Sequence, residues 1–243
     1  MNSKAADDDP DAVPPMRRFA ATTFVASIIV AVWAMLFPAP YPLCMGLLAA
    51  FPVVAVGMVG FSGGQLKFVN PAGEISTYAF MVIVVTSFTL AYRSFDIHAI
   101  SWTGPALAAV MLDFCLVGAV AFIDRPNLHV RLLVILAAIG LFWGLGCANF
   151  TNALLDMGPK QTFRPTINLY STTNGLNIGR YGNGGYSRHF VVGPWGPTAR
   201  SEDTVVTEGV YQRAKAGQPT CFLLGRGFFG AAWYSFGACP GSS

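Results

Sequence analysis

Residues 19–37 of the chain, FAATTFVASIIVAVWAMLF, form an apolar run without a single charged side chain. As a helix this run is about 28 Å long, which is close to the thickness of the hydrocarbon core of a bilayer. A helix is also the form that satisfies its own backbone N–H and C=O groups inside hydrocarbon. The run is longer than the apolar part of a signal peptide, and prolines follow it in place of a small-residue cleavage site. It therefore predicts a retained membrane-spanning helix.

The distribution of charge extends this prediction to most of the chain. The 134 residues from Phe19 to Asn152 carry eight charged side chains, whereas the last 91 residues carry twelve. Only 11% of all residues are charged, against about a quarter in soluble domains. We therefore predict an α-helical multi-pass membrane bundle followed by a small antiparallel β-rich domain. The predicted parts are a disordered N-terminal tail (1–18), a transmembrane helical domain (19–152) and a C-terminal β-rich soluble domain (153–243).

Four more segments are apolar enough to be considered as spans, namely 43–61, 75–92, 105–123 and 132–148. The segment 75–92 is the ambiguous one, because threonine and serine dilute it. It is expected either to cross the bilayer, which gives five spans, or to lie at the membrane surface, which gives four. Counts of Lys and Arg near the span ends do not decide between the two arrangements.

The C-terminal part has the sequence pattern of short strands separated by Gly- and Pro-containing turns. A helical segment is expected at 208–215, between the strands. The predicted strands are 162–170, 186–192, 204–207, 220–224 and 232–236. Short strands of this kind are typical of a small antiparallel sheet or a half-open barrel.

Two cysteines, Cys221 and Cys239, are the only ones in the C-terminal domain. An isolated pair in a small domain is typical of a disulfide in an oxidising compartment. The alternative is two free buried thiols in a cytoplasmic domain. The disulfide favours five spans, a cytoplasmic N-terminus and a C-terminal domain in the periplasm.

Asp113 is an acidic residue near the middle of a predicted span. An ionised aspartate at that depth costs about 2.5–3.5 kcal/mol on insertion scales. We expect its carboxyl to be protonated or to face the bundle interior, toward Thr86, Ser87 or Thr89. Asp113 is then either a proton or cation site or a neutral carboxyl hydrogen-bonded between helices.

Two further patterns resemble catalytic motifs but lack the context that such motifs require. Residues 225–230, GRGFFG, match G-x-G-x-x-G, but only thirteen residues follow, too few for the helix and acidic residue of a dinucleotide site. Ser187, His189 and Asp203 supply the residue types of a hydrolytic triad without a nucleophile elbow. The histidines are isolated, and no Cys/His spacing resembles a zinc site. We therefore predict no enzyme activity, no cofactor and no metal. The formal net charge of +3 is small and the Lys and Arg residues are scattered, so no nucleic-acid partner is predicted.

The chain resembles a loosely defined group of bacterial membrane proteins with several N-terminal spans and a short C-terminal β-rich domain ending in a second cysteine. The resemblance rests on NFTNALLD (149–156), VGPWGP (192–197), VY (210–211), AG (216–217), TC (220–221) and GAAWY (230–234). It implies this architecture and an inner-membrane location, and it implies no activity.

The expected function is that of a non-enzymatic, membrane-anchored interaction or assembly protein. The lipid bilayer and either a protein partner or a second copy of the chain are its expected partners. Aromatic and basic side chains on glycine-rich loops are expected to form the partner surface. These residues are Arg180, Tyr181, Tyr186, Arg188 and Trp195. The alternative is a small transporter or channel subunit that uses Asp113.

Overall fold

A computed structural model describes residues 15–36, 39–68, 77–124, 129–174 and 186–239. Five helices come first: α1 (Pro15–Leu36), α2 (Tyr41–Phe61), α3 (Thr77–Ser94), α4 (Thr103–Ile123) and α5 (Val130–Leu154). A two-residue strand, β1 (His98–Ala99), lies between α3 and α4. The helices form a bundle and the β-rich part follows it, so the predicted fold class is confirmed.

The helices of the bundle alternate in direction. The Thr23 hydroxyl in the first half of α1 lies 3.5 Å from the Met58 sulfur near the end of α2. At the opposite end of the bundle, the Tyr41 hydroxyl at the start of α2 donates to the carbonyl oxygen of Arg93 near the end of α3. Ala109 in α4 lies against Gly144 in α5. We use the name junction end for the end of the bundle at which α3 and α5 terminate. The opposite end of the bundle is the far end.

Four of the five helices, α1, α2, α4 and α5, are long and apolar enough to cross a membrane. The shorter α3 contacts α1, α2 and α5, and its buried residues include Val82, Ile83, Thr86 and Leu90. This spacing places one face of the helix in the bundle core. The polar residues of α3 are thus accommodated inside the bundle, and the choice between four and five spans stays a prediction. The hydroxyls of Thr86 and Thr89 bond to carbonyls of their own helix, at 2.6 and 2.8 Å.

Glycines bring α5 close to its neighbours. A Cβ added at Gly144 would lie 3.1 Å from the Cα of Ala109 in α4. A Cβ added at Gly146 would lie 2.6 Å from Cγ of Leu90 in α3. Small residues at such contacts let helix backbones approach closely, which is how helices pack when lipid gives no hydrophobic driving force.

The N-terminal boundary of the bundle differs from the prediction. Helix α1 begins at Pro15, so residues 15–18 of the predicted tail are helical. Proline at the first turn is compatible with a helix start, because no N–H is needed there. The remaining fourteen residues of the tail lie outside the described ranges.

The described residues of the C-terminal domain form one helix and the strands of two antiparallel sheets. The elements are β2 (Gln161–Phe163), β3 (Ile167–Asn174), β4 (Tyr186–Val192), β5 (Glu202–Val206), α6 (Glu208–Lys215), β6 (Thr220–Gly225) and β7 (Trp233–Ala238). One sheet has the order β1-β7-β6-β2 and the other the order β3-β4-β5. The single strand predicted over 162–170 is divided between the two sheets, because Pro165 cannot donate to a ladder.

An aromatic core joins the two sheets and α6. It is built from Phe190, Val192, Trp195, Val206, Val210, Tyr211, Ala214, Phe222 and Tyr234. The Trp195 ring contacts Phe222 at 4.5 Å and Tyr234 at 5.0 Å in edge-on geometry. Edge-on aromatic pairs of this kind add to the stabilisation from buried area. This core is separate from the larger hydrophobic core of the bundle.

Candidate functional site at the junction of the bundle and the β domain

The C-terminal end of α5 is hydrogen-bonded to the loop between β6 and β7. The Asn152 side chain accepts from the Phe229 N–H at 2.9 Å and donates to the Ala231 carbonyl at 2.8 Å. The backbone carbonyl of Asn152 accepts from the Phe228 N–H at 2.9 Å. One buried asparagine thus makes three bonds to the loop and fixes its position on the bundle.

Asp156, four residues further along the chain, binds the same loop. Its Oδ2 accepts from the Trp233 indole at 2.8 Å and from the Gly227 N–H at 3.1 Å. Its Oδ1 accepts from the Gly158 N–H at 3.2 Å. Partial burial acts to raise the pKa of Asp156, but these donors and the charge of Lys160 outweigh it, so the pKa lies below its ordinary value. Asp156 is therefore an ionised anchor between the two domains.

These hydrogen bonds give the G-x-G-x-x-G sequence a structural role in the contact with α5, so no bound nucleotide is needed to explain it. The Gly227, Phe228 and Phe229 N–H groups, which a phosphate would need, already bond to Asn152 and Asp156. Gly227 has a φ of +74°, and a Cβ there would lie 2.5 Å from the Asn152 side chain. The glycine therefore permits both the left-handed turn and the close approach of α5.

The loop between α3 and α4 forms a second connection. Its strand β1 pairs with β7, so that His98 lies opposite Tyr234, and the two rings stack at 4.8 Å. The Asn149 side chain in α5 donates to the Ser94 carbonyl at 2.7 Å, which fixes the start of this loop. A segment of the membrane domain is thus an edge strand of the β domain.

A buried ion pair lies at the base of this loop. The Arg93 side chain is fully buried, and its Nη2 lies 2.7 Å from Oδ2 of Asp96. The Arg93 guanidinium also lies 6.0 Å from the centre of the Tyr41 ring. A buried guanidinium requires an anionic partner, because an uncompensated charge is costly to remove from water. Asp96 therefore fixes the position of the chain just beyond α3.

A cavity of about 270 Å³ opens between this loop and the β domain. Asp96 and Ile97 border it on the membrane-domain side. The other lining residues come from α6, its N-cap and β7: Thr207, Val210, Arg213, Trp233, Tyr234, Ser235 and Phe236. The lining therefore includes one acidic residue, Asp96, and one basic residue, Arg213.

The Cys221–Cys239 disulfide is present in the structure, with 5.0 Å between the Cα atoms. Cys221 lies in β6 and Cys239 follows the last residue of β7. The other cysteines, Cys44, Cys115 and Cys147, lie in α2, α4 and α5 and are free. The predicted pairing is therefore confirmed.

The structure does not support a partner surface made of the five residues predicted from the sequence. Trp195 is only 5% exposed and belongs to the aromatic core, so its prediction as a contact residue is wrong. Arg188 forms an ion pair with Glu208 at 2.6 Å and lies over the Tyr211 ring, so it is engaged within the domain. Arg180, Tyr181 and the side chain of Tyr186 lie outside what the structure describes.

A different surface is formed by the outer face of the three-stranded sheet. Leu169 pairs with Val191, and Val191 with Asp203, while His189 pairs with Val205. Partners directly opposite each other project from the same face of a sheet. None of these residues belongs to the aromatic core, and Leu169 is 55% exposed. We call Leu169, His189, Val191, Asp203 and Val205 the outer face.

The outer face contains two of the three triad residue types in contact. His189 Nδ1 lies 3.1 Å from Oδ1 of Asp203, and the Asp203 side chain is 62% exposed. Ser187 lies two residues before His189 but is only 1% exposed. A buried hydroxyl has no access to substrate, so the geometry gives the His189–Asp203 pair no nucleophile. Among the described residues, no three His, Cys, Asp or Glu side chains form a group able to hold a metal ion.

Asp113 lies at the contact between α4 and α5. Its carboxylate borders Gly140, where a side chain would occupy the same space. Its Oδ1 is buried and has no hydrogen-bond partner among the residues that the structure describes. The carboxylate thus faces α5. It does not face the hydroxyls of α3, which was the orientation expected from the sequence. A proton or cation role for Asp113 stays a prediction.

The residues that join the domains were missed by the sequence analysis. Asn149 and Asn152 lie three residues apart on one face of α5 as it leaves the apolar run, and Asp156 follows two residues beyond the end of the helix. Polar residues at this spacing, directly after a span, are a signal that a soluble domain contacts the helix end.

No family model, curated protein or solved structure matches this chain.

Proposed function

We propose that this protein is a membrane-anchored, non-enzymatic interaction module that presents the outer face of its β domain to a protein partner. The observation that carries the proposal is the junction. Asn152 and Asp156 bind the β6–β7 loop, and β1 extends the β domain's sheet. A domain held in this way has a fixed orientation to the bilayer, which reduces the entropy lost on binding a partner.

The outer face has the composition that a protein partner requires. Leu169, Val191 and Val205 supply apolar contact area, and the His189–Asp203 pair supplies polar groups beside it. Interfaces commonly combine an apolar centre with polar groups at its edge. The partner is either a different membrane-associated protein or a second copy of this chain.

Site-specific photocrosslinking tests this proposal. A photoreactive amino acid at position 169 is expected to give a crosslinked product in native membranes, because Leu169 is the most exposed apolar residue of the outer face. The matched control is position 162, which is exposed on β2 of the other sheet. The mass of the product identifies a second copy or another protein. Absence of product from positions 169, 191 and 205 alike would contradict the proposal.

We further propose that the bundle lies in a bacterial inner membrane, with its far end in the cytoplasm and the β domain in the periplasm. The basic residues near the span ends are Arg17, Arg18, Lys67 and Arg131 at the far end, against Lys160, Arg164 and Arg93, which is buried and paired with Asp96, at the junction end. Basic residues near span ends favour the cytoplasmic side. The disulfide supports the same orientation, because disulfides persist in oxidising compartments.

Cysteine labelling in intact cells tests this orientation. We expect a membrane-impermeant maleimide to label Gln212→Cys, exposed on α6, and to leave Gln65→Cys, exposed at the far end, unlabelled. Both variants are made in a chain whose three free cysteines are replaced by alanine, so that the introduced thiol alone reacts. Labelling of position 65 but not of position 212 would reverse the assignment.

A further inference from the structure

The loop between β6 and β7 presents an exposed aromatic side chain close to the membrane domain. Phe228 is 58% exposed, and its ring lies 5.1 Å from that of Phe229. The N–H groups of residues 227–229 bond to Asn152 and Asp156, so the backbone of the loop is fixed on the end of the bundle. A single exposed aromatic ring is common on protein surfaces, so its position decides what it contacts.

The length of α5 places this loop at the edge of the hydrocarbon core. Arg131, the second residue of the helix, is exposed and marks the edge of that core at the far end. From Arg131 to Asn152 the helix rises about 32 Å, and the hydrocarbon core of a bilayer is about 30 Å thick. Asn152 therefore lies at the opposite edge of the core. The Phe228 N–H donates to the backbone carbonyl of this residue at 2.9 Å.

Helix α4 gives the same depth independently. It ends at Ile123, and the acidic Asp124 follows it at the far end. From Asp124 back to Gly104 the helix rises about 30 Å, again the thickness of the hydrocarbon core. A Cβ added at Gly104 would lie 2.6 Å from the Phe229 carbonyl oxygen, so the loop lies directly against the start of α4. Two helices thus place the same loop at the same edge of the core.

Other exposed apolar side chains mark this level on the bundle itself. Phe95, the residue after α3, is 61% exposed, and its ring lies 5.9 Å from that of Trp102. Leu155, the residue after α5, is also exposed. Aromatic rings are enriched where hydrocarbon meets headgroups. The exposed Phe228 ring therefore continues, at the same depth, the apolar surface that the bundle presents to lipid.

We propose that the β6–β7 loop is itself a membrane contact, in which Phe228 inserts between phospholipids at the boundary of acyl chains and headgroups. An apolar ring outside the bundle at this depth loses its contact with water and gains contact with acyl chains, which is favourable. The β domain is then bound to the bilayer as well as to the bundle. This contact is independent of the proposed partner surface, which lies on the other sheet, and of the side of the membrane.

Spin labelling of the full-length protein in phospholipid vesicles tests the proposal. The label is placed at Phe228→Cys in a chain whose three free cysteines are replaced by alanine. It should collide more with oxygen, which dissolves in acyl chains, than with a water-soluble nickel chelate. The matched control is Gln218→Cys, exposed just before β6, because the strand separates its first residue from Gly225 by about 17 Å. The ratio of oxygen to nickel collisions should be several-fold higher at position 228.

A photoreactive phospholipid tests the same contact without any substitution. With the diazirine group near the glycerol end of the acyl chain, it should modify residues 226–230 and leave residues 216–220 unmodified, as located by mass spectrometry of tryptic peptides. Equal collision ratios at positions 228 and 218, or no lipid modification of the loop, would overturn the proposal. A label at position 228 that neither oxygen nor the chelate reaches would also overturn it, because the ring would then lie in a protein contact.

Discussion

Replacing Asp156 by alanine is expected to lower the free energy of unfolding of the β domain by about 3 kcal/mol. The substitution removes an ionised acceptor and leaves the Trp233 indole and the Gly227 N–H without their partner. Hydrogen bonds to charged groups contribute about 1.5–3 kcal/mol each, and the partial exposure of Asp156 reduces their sum. Urea unfolding of the full-length protein in micelles, followed by tryptophan fluorescence, measures the change.

A matched control for this variant is Asp203→Ala. The Asp203 side chain is 62% exposed, and its ion pair is with His189 on the outer face. Surface pairs of this kind contribute about 0–1 kcal/mol, so this variant should unfold nearly as the wild type does. Equal effects of the two substitutions would show that Asp156 does not anchor the loop.

The effect of Asp156→Ala is also expected to depend on pH. The pKa of Asp156 in the folded protein lies below the ordinary aspartate value of about 3.9. The folded state therefore favours the ionised form, and the stabilisation is complete above about pH 5 and is lost as the pH falls through the folded pKa. The difference between wild type and variant should thus diminish below about pH 4. A difference that stays constant down to pH 2 would contradict the assignment of this carboxylate.

The apolar spans were predictable from the sequence because a bilayer imposes one simple requirement. A segment in hydrocarbon must be helical and long enough to cross, and both conditions are visible as uninterrupted apolar runs such as 19–37. The path of α3 was harder to predict. Its serines and threonines lower its hydropathy, yet Thr86 and Thr89 bond within the helix and the bundle surrounds them.

The strands of the β domain were also predictable, whereas the contacts that orient the domain were not. Alternation and turn residues indicate strands locally, and the predicted segments at 186–192 and 220–224 correspond to β4 and β6. Strand β1 has two residues and lies in a loop of the membrane domain, so no periodic pattern can reveal it. Its pairing with β7 joins positions more than 130 residues apart in sequence.

The candidate site shows the same difference between local and long-range information. Trp195 follows a strand in a loop rich in glycine and proline, a context that usually indicates exposure. The ring nevertheless lies against Phe163, Phe222 and Tyr234, because the two sheets meet at this loop. Burial of a loop aromatic depends on how sheets pack, and a single sequence carries no pattern for that packing.

Reduction of the Cys221–Cys239 disulfide is expected to lower the free energy of unfolding of the β domain by about 3 kcal/mol. The cysteines are 18 residues apart in sequence, and a crosslink over a loop of that length restricts the unfolded chain by about this amount. Urea unfolding in micelles with and without reductant measures the change. The double variant Cys221→Ala/Cys239→Ala should lose similar stability and should no longer respond to reductant.

A chain with Cys44, Cys115 and Cys147 replaced by alanine is the control for this experiment. It keeps the disulfide and should therefore lose the same stability on reduction as the wild type does. Unchanged unfolding of the wild type on reduction would contradict a stabilising disulfide.

The same disulfide stabilises the β domain, and its oxidation state indicates the side of the membrane on which the domain lies. Strand β7 pairs with β6 on one side and with β1 on the other, and Cys239 fixes its C-terminal end to β6. Loss of the crosslink should therefore loosen β7 and, through it, the junction with the membrane domain.

Alkylation of cells before lysis, followed by non-reducing electrophoresis, is expected to trap Cys221 and Cys239 as a disulfide. Free thiols at both positions would place the domain in a reducing compartment and contradict the periplasmic assignment.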